Sequence, residues 1–150
     1  MKKSKEPFNF HFTKLTEAYL KVLYWFFSYP QRQIGLNELS EETKIAKSTA
    51  KRIVEEMVKT NFLKKEVIGK VWRISCNPQH EYNRTIKVGY NLTLIYESKI
   101  LEEIHKRANY SGAIILFGSY RKGDDNENSD IDIAVEIAGN QKLKIEKLKT

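Results

Sequence analysis

Two aspartates and a glycine-serine pair have the residue types and spacing to do chemistry. The apolar run of residues 113–117 ends at Gly118-Ser119, and further along the chain Asp130 and Asp132 flank an isoleucine. Alternation at period two places both carboxylates on the same side of a strand. Carboxylates beside a glycine turn that can hold phosphate are suited to divalent metal ions. This stretch therefore predicts a metal-dependent nucleotide site.

A basic pair and a polar loop complete the pattern. Arg121-Lys122 precede a second glycine, Gly123, and the polar, acidic loop that follows leads to Asp130. The whole pattern, from the apolar strand to the paired aspartates, resembles the signature of the nucleotidyltransferase superfamily related to DNA polymerase beta. Its minimal nucleotidyltransferases of bacteria and archaea are the most similar branch, and the resemblance covers about residues 94–137.

Phosphate binding is the expected role of the glycine turn. Gly118 has no side chain, so a phosphate can approach its backbone. A short helix that begins near Ser119 would present free N–H groups and a positive dipole end, and the serine can add its hydroxyl. Arg121 and Lys122 either supply further positive charge near the same turn or are simply solvated.

The paired aspartates are the expected catalytic and metal-binding residues. An isolated Asp-x-Asp is most often an acidic turn that opens a strand, but Gly-Ser at this spacing favours a metal site. Asp130 and Asp132 lie about 7 Å apart along an extended strand, from which their carboxylates can converge on two Mg²⁺ ions. One ion would activate an attacking hydroxyl, and the other would hold the nucleoside triphosphate, for which ATP is expected. Such transfer needs little beyond positioning and charge neutralisation.

One feature departs from the family pattern, which usually includes a third carboxylate from a later strand. After Asp132 the acids are Glu136, which is too far along the same strand, and Glu146. Residues 141–150 are typical of the start of a helix. We therefore expect a nucleotidyltransferase-like domain that is truncated at its C-terminal end or degenerate, with triphosphate binding less affected than hydroxyl activation.

Length, composition and cysteine use predict a soluble, cytoplasmic protein without membrane contact. The 150 residues allow one ordinary domain or two small ones, and 41% hydrophobic residues suffice for a core. No apolar run approaches the roughly 18 residues of a membrane span, and the basic start lacks the apolar segment of a signal peptide. Cys76 is the single cysteine, which excludes an intrachain disulfide and favours a reducing compartment.

Charge is distributed unevenly along the chain. Residues 1–79 contain 15 lysines and arginines against 8 acidic residues, whereas residues 80–150 contain 11 of each. The whole positive excess therefore belongs to the first half. This asymmetry predicts contact with a polyanion, and the alternative is a surface that only keeps the protein soluble.

The first half opens with a helical pattern. After a polar, flexible terminus at residues 1–9, residues 10–28 show one apolar helical face, and Pro30 ends it. The aromatic residues of this helix indicate core or a dimer face, in preference to a platform for stacking bases.

Two further helices and a hairpin follow. Asn37 is the expected N-cap of a short helix, and Ser48 is the expected N-cap of a third helix after a tight turn. Two strands, residues 62–68 and 70–75, are joined at Gly69 and form a hairpin with a basic rim.

This order of elements, over about residues 10–76, resembles a winged helix-turn-helix domain. The functional interpretation places the third helix in the major groove of double-stranded DNA and the hairpin wing against phosphates. The expected base readers are exposed positions at the start of the third helix: Lys47, Ser48, Thr49, Lys51 and Arg52. The expected backbone contacts are basic residues of the wing: Lys64, Lys65, Lys70 and Arg73. The alternative is a winged helix used only for protein contacts or dimerisation, and the charge asymmetry favours nucleic acid.

The predicted fold class is α+β, in two units. Asn77-Pro78 breaks the chain after the winged helix-turn-helix unit of residues 10–77. Residues 78–91 are predicted to form a linker or helix. Residues 92–150 are predicted to form the nucleotidyltransferase-like unit, in its incomplete form.

The second half also begins with a helical pattern, at residues 81–107, in which Gly89 and Asn91 mark a weak point or a junction of two helices. The later part of the pattern has a broad apolar face that is predicted to be buried: Leu92, Ile95, Tyr96, Ile100, Leu101 and Ile104. The acids of the later loop are predicted to be exposed: Asp124, Asp125 and Glu127. His80 and His105 are too far apart for a zinc site, and all three histidines are predicted to lie on the surface: His11, His80 and His105.

Two functions from different classes fit these observations. The first is a Mg²⁺-dependent nucleotidyltransferase that transfers a nucleoside monophosphate to a hydroxyl of a protein or other acceptor, coupled to a DNA-binding winged helix. The resemblance further implies an antitoxin role, in which the acceptor is a partner toxin. The second is a DNA-binding transcriptional regulator whose nucleotidyltransferase-like half senses nucleotide or only forms a homodimer.

Overall fold

The computed structural model describes residues 16–107 and 110–137. Helices and strands are mixed along these residues, which confirms the α+β class. The predicted terminus 1–9 and the predicted helix start at 141–150 lie outside them. The elements in chain order are α1 Glu17–Ser28, β1 Gln33–Ile34, α2 Leu36–Thr43, α3 Lys47–Lys59, β2 Leu63–Ile68, β3 Val71–Cys76, a 3₁₀ turn Glu81–Asn83, α4 Ile86–Glu97, α5 Ile100–Arg107, β4 Tyr110–Phe117, α6 Gly118–Lys122 and β5 Asp132–Ile137.

The first half contains the predicted order of three helices and a hairpin. Strands β2 and β3 form the antiparallel hairpin around Gly69, and β1 adds a third strand, so that the sheet order is β1-β3-β2. In β1, Ile34 pairs with Ile74 and is buried. A strand of two residues is too short to show alternation, so the sequence pattern did not predict it.

An aromatic core holds this half together. Phe26 and Phe27 are fully buried, and Trp25 is nearly so. The ring of Phe27 meets that of Phe62, which follows α3, edge to face at 5.8 Å. Fully burying one such side chain contributes about 1.5–3 kcal/mol to folding. Most aromatic residues of α1 are therefore core, one of the two predicted roles, whereas Tyr24 is exposed at 38%.

Helices α2 and α3 begin at different residues from those predicted. Helix α1 begins at Glu17, because Thr16 has extended backbone and its hydroxyl accepts the Tyr19 N–H at 3.3 Å. Residues 10–15 of the predicted helix lie outside the described residues. Gly35, and not Asn37, is the N-cap of α2.

Similarly, α3 begins at Lys47 with Ala46 as its N-cap, so Ser48 lies inside the first turn. A side-chain cap is worth only about 1 kcal/mol. Neither Gly35 nor Ala46 makes a side-chain cap hydrogen bond, and both helices are held by buried residues such as Leu39 and Ala50.

In the second half, α4 and α5 pack on one face of the two-stranded antiparallel sheet β4-β5. Buried isoleucines of the helices contact alternate residues of the strands: Ile95, Ile100, Ile104, Ile114, Leu116, Ile133 and Val135. The opposite face of the sheet is exposed, with Ile115 at 55% and Phe117 at 49%.

Two predictions for this helical region were wrong. The break between helices falls at Ser98 and Lys99, where Lys99 has a φ of 59°, and not at Gly89 or Asn91. Leu92 and Tyr96 are exposed, because the two strands cover only part of the apolar face of α4.

Helix α4 also packs against the first half. The ring of Tyr90 stacks on that of Tyr24, with centroids 4.6 Å apart, and the Tyr90 hydroxyl lies 2.6 Å from the Ser28 hydroxyl. Ile86 joins the same core. Residues 78–91, for which the sequence predicted a linker or helix, thus contain the start of a helix that packs against the first half.

His80 is half-buried in the same junction and is not a simple surface residue. Its Nδ1 accepts the Tyr82 N–H at 3.2 Å, which leaves Nε2 to donate to the Thr60 carbonyl at 3.0 Å. His105 is exposed, as predicted. His11 lies outside the described residues.

Among the helices of the described ranges, none has the length and apolar composition that crossing a membrane requires.

Two glycines with positive φ allow the close packing of α6 against the 3₁₀ turn Glu81–Asn83 to be tested. Gly123 has a φ of +79°, and a Cβ there would clash with the Asn83 carbonyl oxygen, whereas Gly69 has a φ of +62° and open space around it. We expect Gly69→Ala to cost roughly 1–2 kcal/mol of backbone strain. Gly123→Ala should cost the same backbone strain plus roughly 1–3 kcal/mol from overpacking against the Asn83 carbonyl. Urea unfolding measures both, and equal losses would contradict the close packing of Gly123.

Candidate functional site

Strand pairing brings the glycine turn and Asp132 together. Phe117, the last residue of β4, pairs with Asp132, the first residue of β5. Gly118 follows with a φ of +69°, and a Cβ built on it would clash with the Asp132 carboxylate. Only glycine fits here, for two reasons: the left-handed backbone and the contact with the carboxylate. The predicted proximity of turn and carboxylate is thus present in the structure.

The two aspartates differ in how they are held. Asp132 is half-buried on β5, but Asp130 is exposed and precedes the strand, which is shorter than predicted. Ile131 and Ile133 pack on the helices, so alternation directs the aspartates away from that core. In the described part of the chain, neither carboxylate has an ion-pair partner.

This donor set fits a cation that is shared with a substrate. Mg²⁺ typically takes one or two carboxylates and completes its shell with water and substrate phosphates. Asp130 and Asp132 would hold it. Residues 16–107 and 110–137 contain no group of three or more His, Cys, Asp or Glu residues that could hold a metal. Glu136 instead accepts the Ala113 N–H at 3.0 Å, beside an irregularity in the pairing of β4 with β5.

The basic pair is at the far end of the short helix α6. Ser119 is half-buried in its first turn, whereas Arg121 and Lys122 are exposed in its last turn. The Gly123 N–H donates to the Ser119 carbonyl at 2.8 Å and ends the helix. Cations at the carboxyl end of a helix are favoured by its dipole. A role for the pair in phosphate binding stays a prediction.

A buried ion pair behind the site was not predicted. The Lys87 Nζ lies 3.1 Å from the Asp125 Oδ2, with side chains only 1% and 7% exposed. The Asn91 Nδ2 donates to the Asp125 Oδ1 at 2.6 Å and to the Tyr120 carbonyl at 2.9 Å. The prediction that Asp125 is exposed was therefore wrong, because α4 supplies its counter-charge from far away in the sequence. The sequence signal that could have found this cluster is the spacing of Lys87 and Asn91, which are four residues apart and so share one face of a helix.

Burial around this ion pair also affects neighbouring groups. Burial raises the pKa of Tyr120, and the nearby Asp125 charge adds to the increase. Burial likewise raises the pKa of the Cys76 thiol, whose sulfur lies 3.9 Å from the Asn83 side chain. A buried thiol that stays protonated is inert, so Cys76 has a packing role.

The predicted DNA-binding positions of α3 form one exposed surface. Lys47, Ser48, Lys51 and Arg52 are exposed along the first two turns, and Thr49 is half-buried. The opposite side of the helix is the buried stripe of the core, as predicted: Ala50, Ile53, Val54 and Met57.

The hairpin is less uniformly basic than predicted. The Lys65 Nζ lies 4.0 Å from the centroid of the Trp72 ring, and the Lys51 Nζ approaches the same ring at 5.8 Å. Lys65 shares the sheet face of the buried Leu63, whereas Lys64 and Arg73 belong to the other face. Lys70 lies in the turn, and the strand residues beside it are exposed and apolar: Val67, Ile68 and Val71. The tip of the hairpin therefore combines one lysine with three exposed apolar side chains, and the other cations of the hairpin are divided between its two faces.

Comparison with known proteins adds a family match for the second half. No curated protein and no solved structure matches the chain significantly. Residues 97–150, about a third of the chain, match the family model described as a nucleotidyltransferase domain. The match contains Gly118, Ser119, Asp130 and Asp132, and so supports the resemblance on which the site was predicted. The C-terminal part of this chain is thus similar to nucleotidyltransferase domains, and a nucleotidyl transfer activity in general is supported.

Proposed function

We propose that this protein is a Mg²⁺-dependent nucleotidyltransferase that uses a nucleoside triphosphate, with ATP the first to test. The observation that carries the proposal is the contact between Gly118 and the Asp132 carboxylate, inside the segment that matches the family model. A phosphate-binding turn and a metal-binding carboxylate need to be adjacent for this chemistry, and β4 and β5 make them so.

Each residue of the site has a role that its position permits. Backbone N–H groups of Gly118-Ser119 bind the triphosphate, and Asp130 with Asp132 holds the metal. Bound Mg²⁺ neutralises phosphate charge and favours loss of the acceptor proton. The acceptor hydroxyl oxygen bonds to the α-phosphorus, and the bond to the β-phosphate breaks. The hydroxyl proton passes to solvent, and the products are a nucleotidyl ester and pyrophosphate.

The first half of the chain would direct this activity to nucleic acid or to a complex bound there. The support is the exposed basic surface at the start of α3, together with the positive excess of residues 1–79. We propose double-stranded DNA as the partner of that surface. The acceptor hydroxyl is proposed to belong to a protein, of which a partner toxin is one example.

The first prediction concerns the carboxylates. Incubation with Mg²⁺ and α-³²P-labelled ATP, CTP, GTP or UTP should label an acceptor in a lysate of the source cells. Asp130→Asn and Asp132→Asn should each lower labelling by a factor of at least about 10³, because each removes metal-binding charge at the reacting phosphate. Asp124→Asn, the same change at an exposed position of the adjoining loop, is the matched control and should retain full activity. Absence of labelling with all four triphosphates would contradict the proposed enzyme.

A second candidate function is DNA-binding regulation with a non-catalytic second half. It is favoured by the donor set of the described residues, which contains two carboxylates, since Glu136 is engaged by the β4 backbone. Under this function, Asp130→Asn would leave both DNA binding and biological output unchanged. Under the enzyme function, biological output would be lost while DNA binding stayed intact.

The next prediction concerns DNA. Lys51→Ala with Arg52→Ala should weaken duplex binding and reduce the slope of log K against log salt by about two, because two phosphate-attracting charges are removed. Fluorescence anisotropy across a salt series measures both quantities. Lys106→Ala, which removes an exposed charge on α5, is the control and should change neither. If the double variant binds as the wild type does, the first half serves protein contacts instead.

A further inference from the structure

The buried cluster of Lys87, Asn91 and Asp125 joins two parts of the candidate site from behind. Asn91 donates to the carbonyl of Tyr120, which follows the glycine-serine turn directly, and to the carboxylate of Asp125. Lys87 pairs with the same carboxylate and also donates to the Asp125 carbonyl. One face of α4 therefore holds both α6 and the loop that leads to the aspartates.

From Asp125 the loop is tied by its own hydrogen bonds. The Asn126 N–H donates to the Ser129 hydroxyl at 3.0 Å, and the Asn128 N–H donates to the Asn126 side chain at 2.9 Å. The Ser129 N–H returns to the Asn126 carbonyl at 3.0 Å. The turn of residues 126–129 thus connects the anchored Asp125 directly to Asp130.

The two aspartates therefore depend on different supports. Asp132 is placed by strand pairing with Phe117, which does not require the cluster. Asp130 precedes β5 and has no strand partner in the described residues, so its position is set by the loop and its anchor. Reacting groups must be held within a fraction of an ångström, and a 1 Å displacement can cost about 10²-fold in rate.

We propose that Lys87 and Asn91 are positioning residues for Asp130, acting through Asp125. The inference rests on the proposed function, in which Asp130 is a metal ligand. It assigns to a buried ion pair a role in site geometry that is separate from its role in stability. A buried pair is weak evidence for stability alone, since its replacement by apolar residues of similar volume is often neutral.

The test compares three variants with wild type. Lys87→Met with Asp125→Leu replaces the pair by apolar side chains and leaves no buried charge. Ser129→Ala removes a hydrogen bond of the loop at a half-buried position and leaves the core intact. It therefore tests the role of the loop even if the double variant does not fold. Lys106→Met, on an exposed part of α5, is the matched control.

Urea unfolding checks that the double variant is folded, and the kcat of the folded double variant should fall about 10²-fold. The KM for the triphosphate should change less than threefold, since strand pairing still holds Gly118 beside Asp132. The Mg²⁺ concentration for half-maximal rate should increase, and Ser129→Ala should show the same changes to a smaller extent. Lys106→Met should match wild type. Wild-type kcat and Mg²⁺ requirement in a folded double variant, or in Ser129→Ala, would overturn the proposal.

Two measurements test the positioning role without an assay of nucleotidyl transfer. Mn²⁺ binding in the presence of the triphosphate, followed by the electron paramagnetic resonance of free Mn²⁺, should be at least tenfold weaker in the double variant. Hydrogen exchange at the amides of Asn126, Asn128 and Ser129 should be faster while exchange in β4 and β5 is unchanged. If wild type labels no acceptor, the proposed function fails, and these two measurements still decide the positioning role. Unchanged Mn²⁺ affinity and unchanged exchange would overturn it.

Discussion

The structure depends on one lysine that is removed from water on the inner face of α4. A buried ammonium is tolerated only if an opposite charge and hydrogen-bond acceptors replace its hydration. Asp125 meets both needs for Lys87 with its carboxylate and its carbonyl. Because of that requirement, a polar loop packs into the interior, and Asn91 holds α6 beside the loop by a hydrogen bond to the Tyr120 carbonyl. The candidate site is built on the outside of this charge pair.

The same helix also explains why the two halves are in contact. Tyr90 stacks on Tyr24 of α1, while Lys87 and Asn91 hold the loop of the second half. Gly123 packs against the Asn83 carbonyl, a close approach that excludes any side chain at that position. The glycine therefore has a structural role at the junction as well as its role in ending α6.

Much of this could be predicted from the sequence where the signal is local. The alternation of Asp130-Ile131-Asp132, the periodicity of α1 and α3, and the turn at Gly69 each depend on neighbours along the chain. The burial of Asp125 could not be predicted, because its environment is set by α4 and an acidic loop residue is normally exposed to water. Strand β1 was missed because Gln33–Ile34 is too short to show alternation, and its strand partner, β3, is far away in the sequence.

The placement of Lys87 has a consequence for how the protein can be divided. A fragment that starts at residue 92, where the apolar pattern alone suggests a boundary, would contain Asp125 without the lysine and asparagine that satisfy it. A fragment that starts near residue 78 would keep both partners but would expose the ring of Tyr90, which packs on α1. Either cut leaves a group without its partner, so both halves and α4 need to be expressed together.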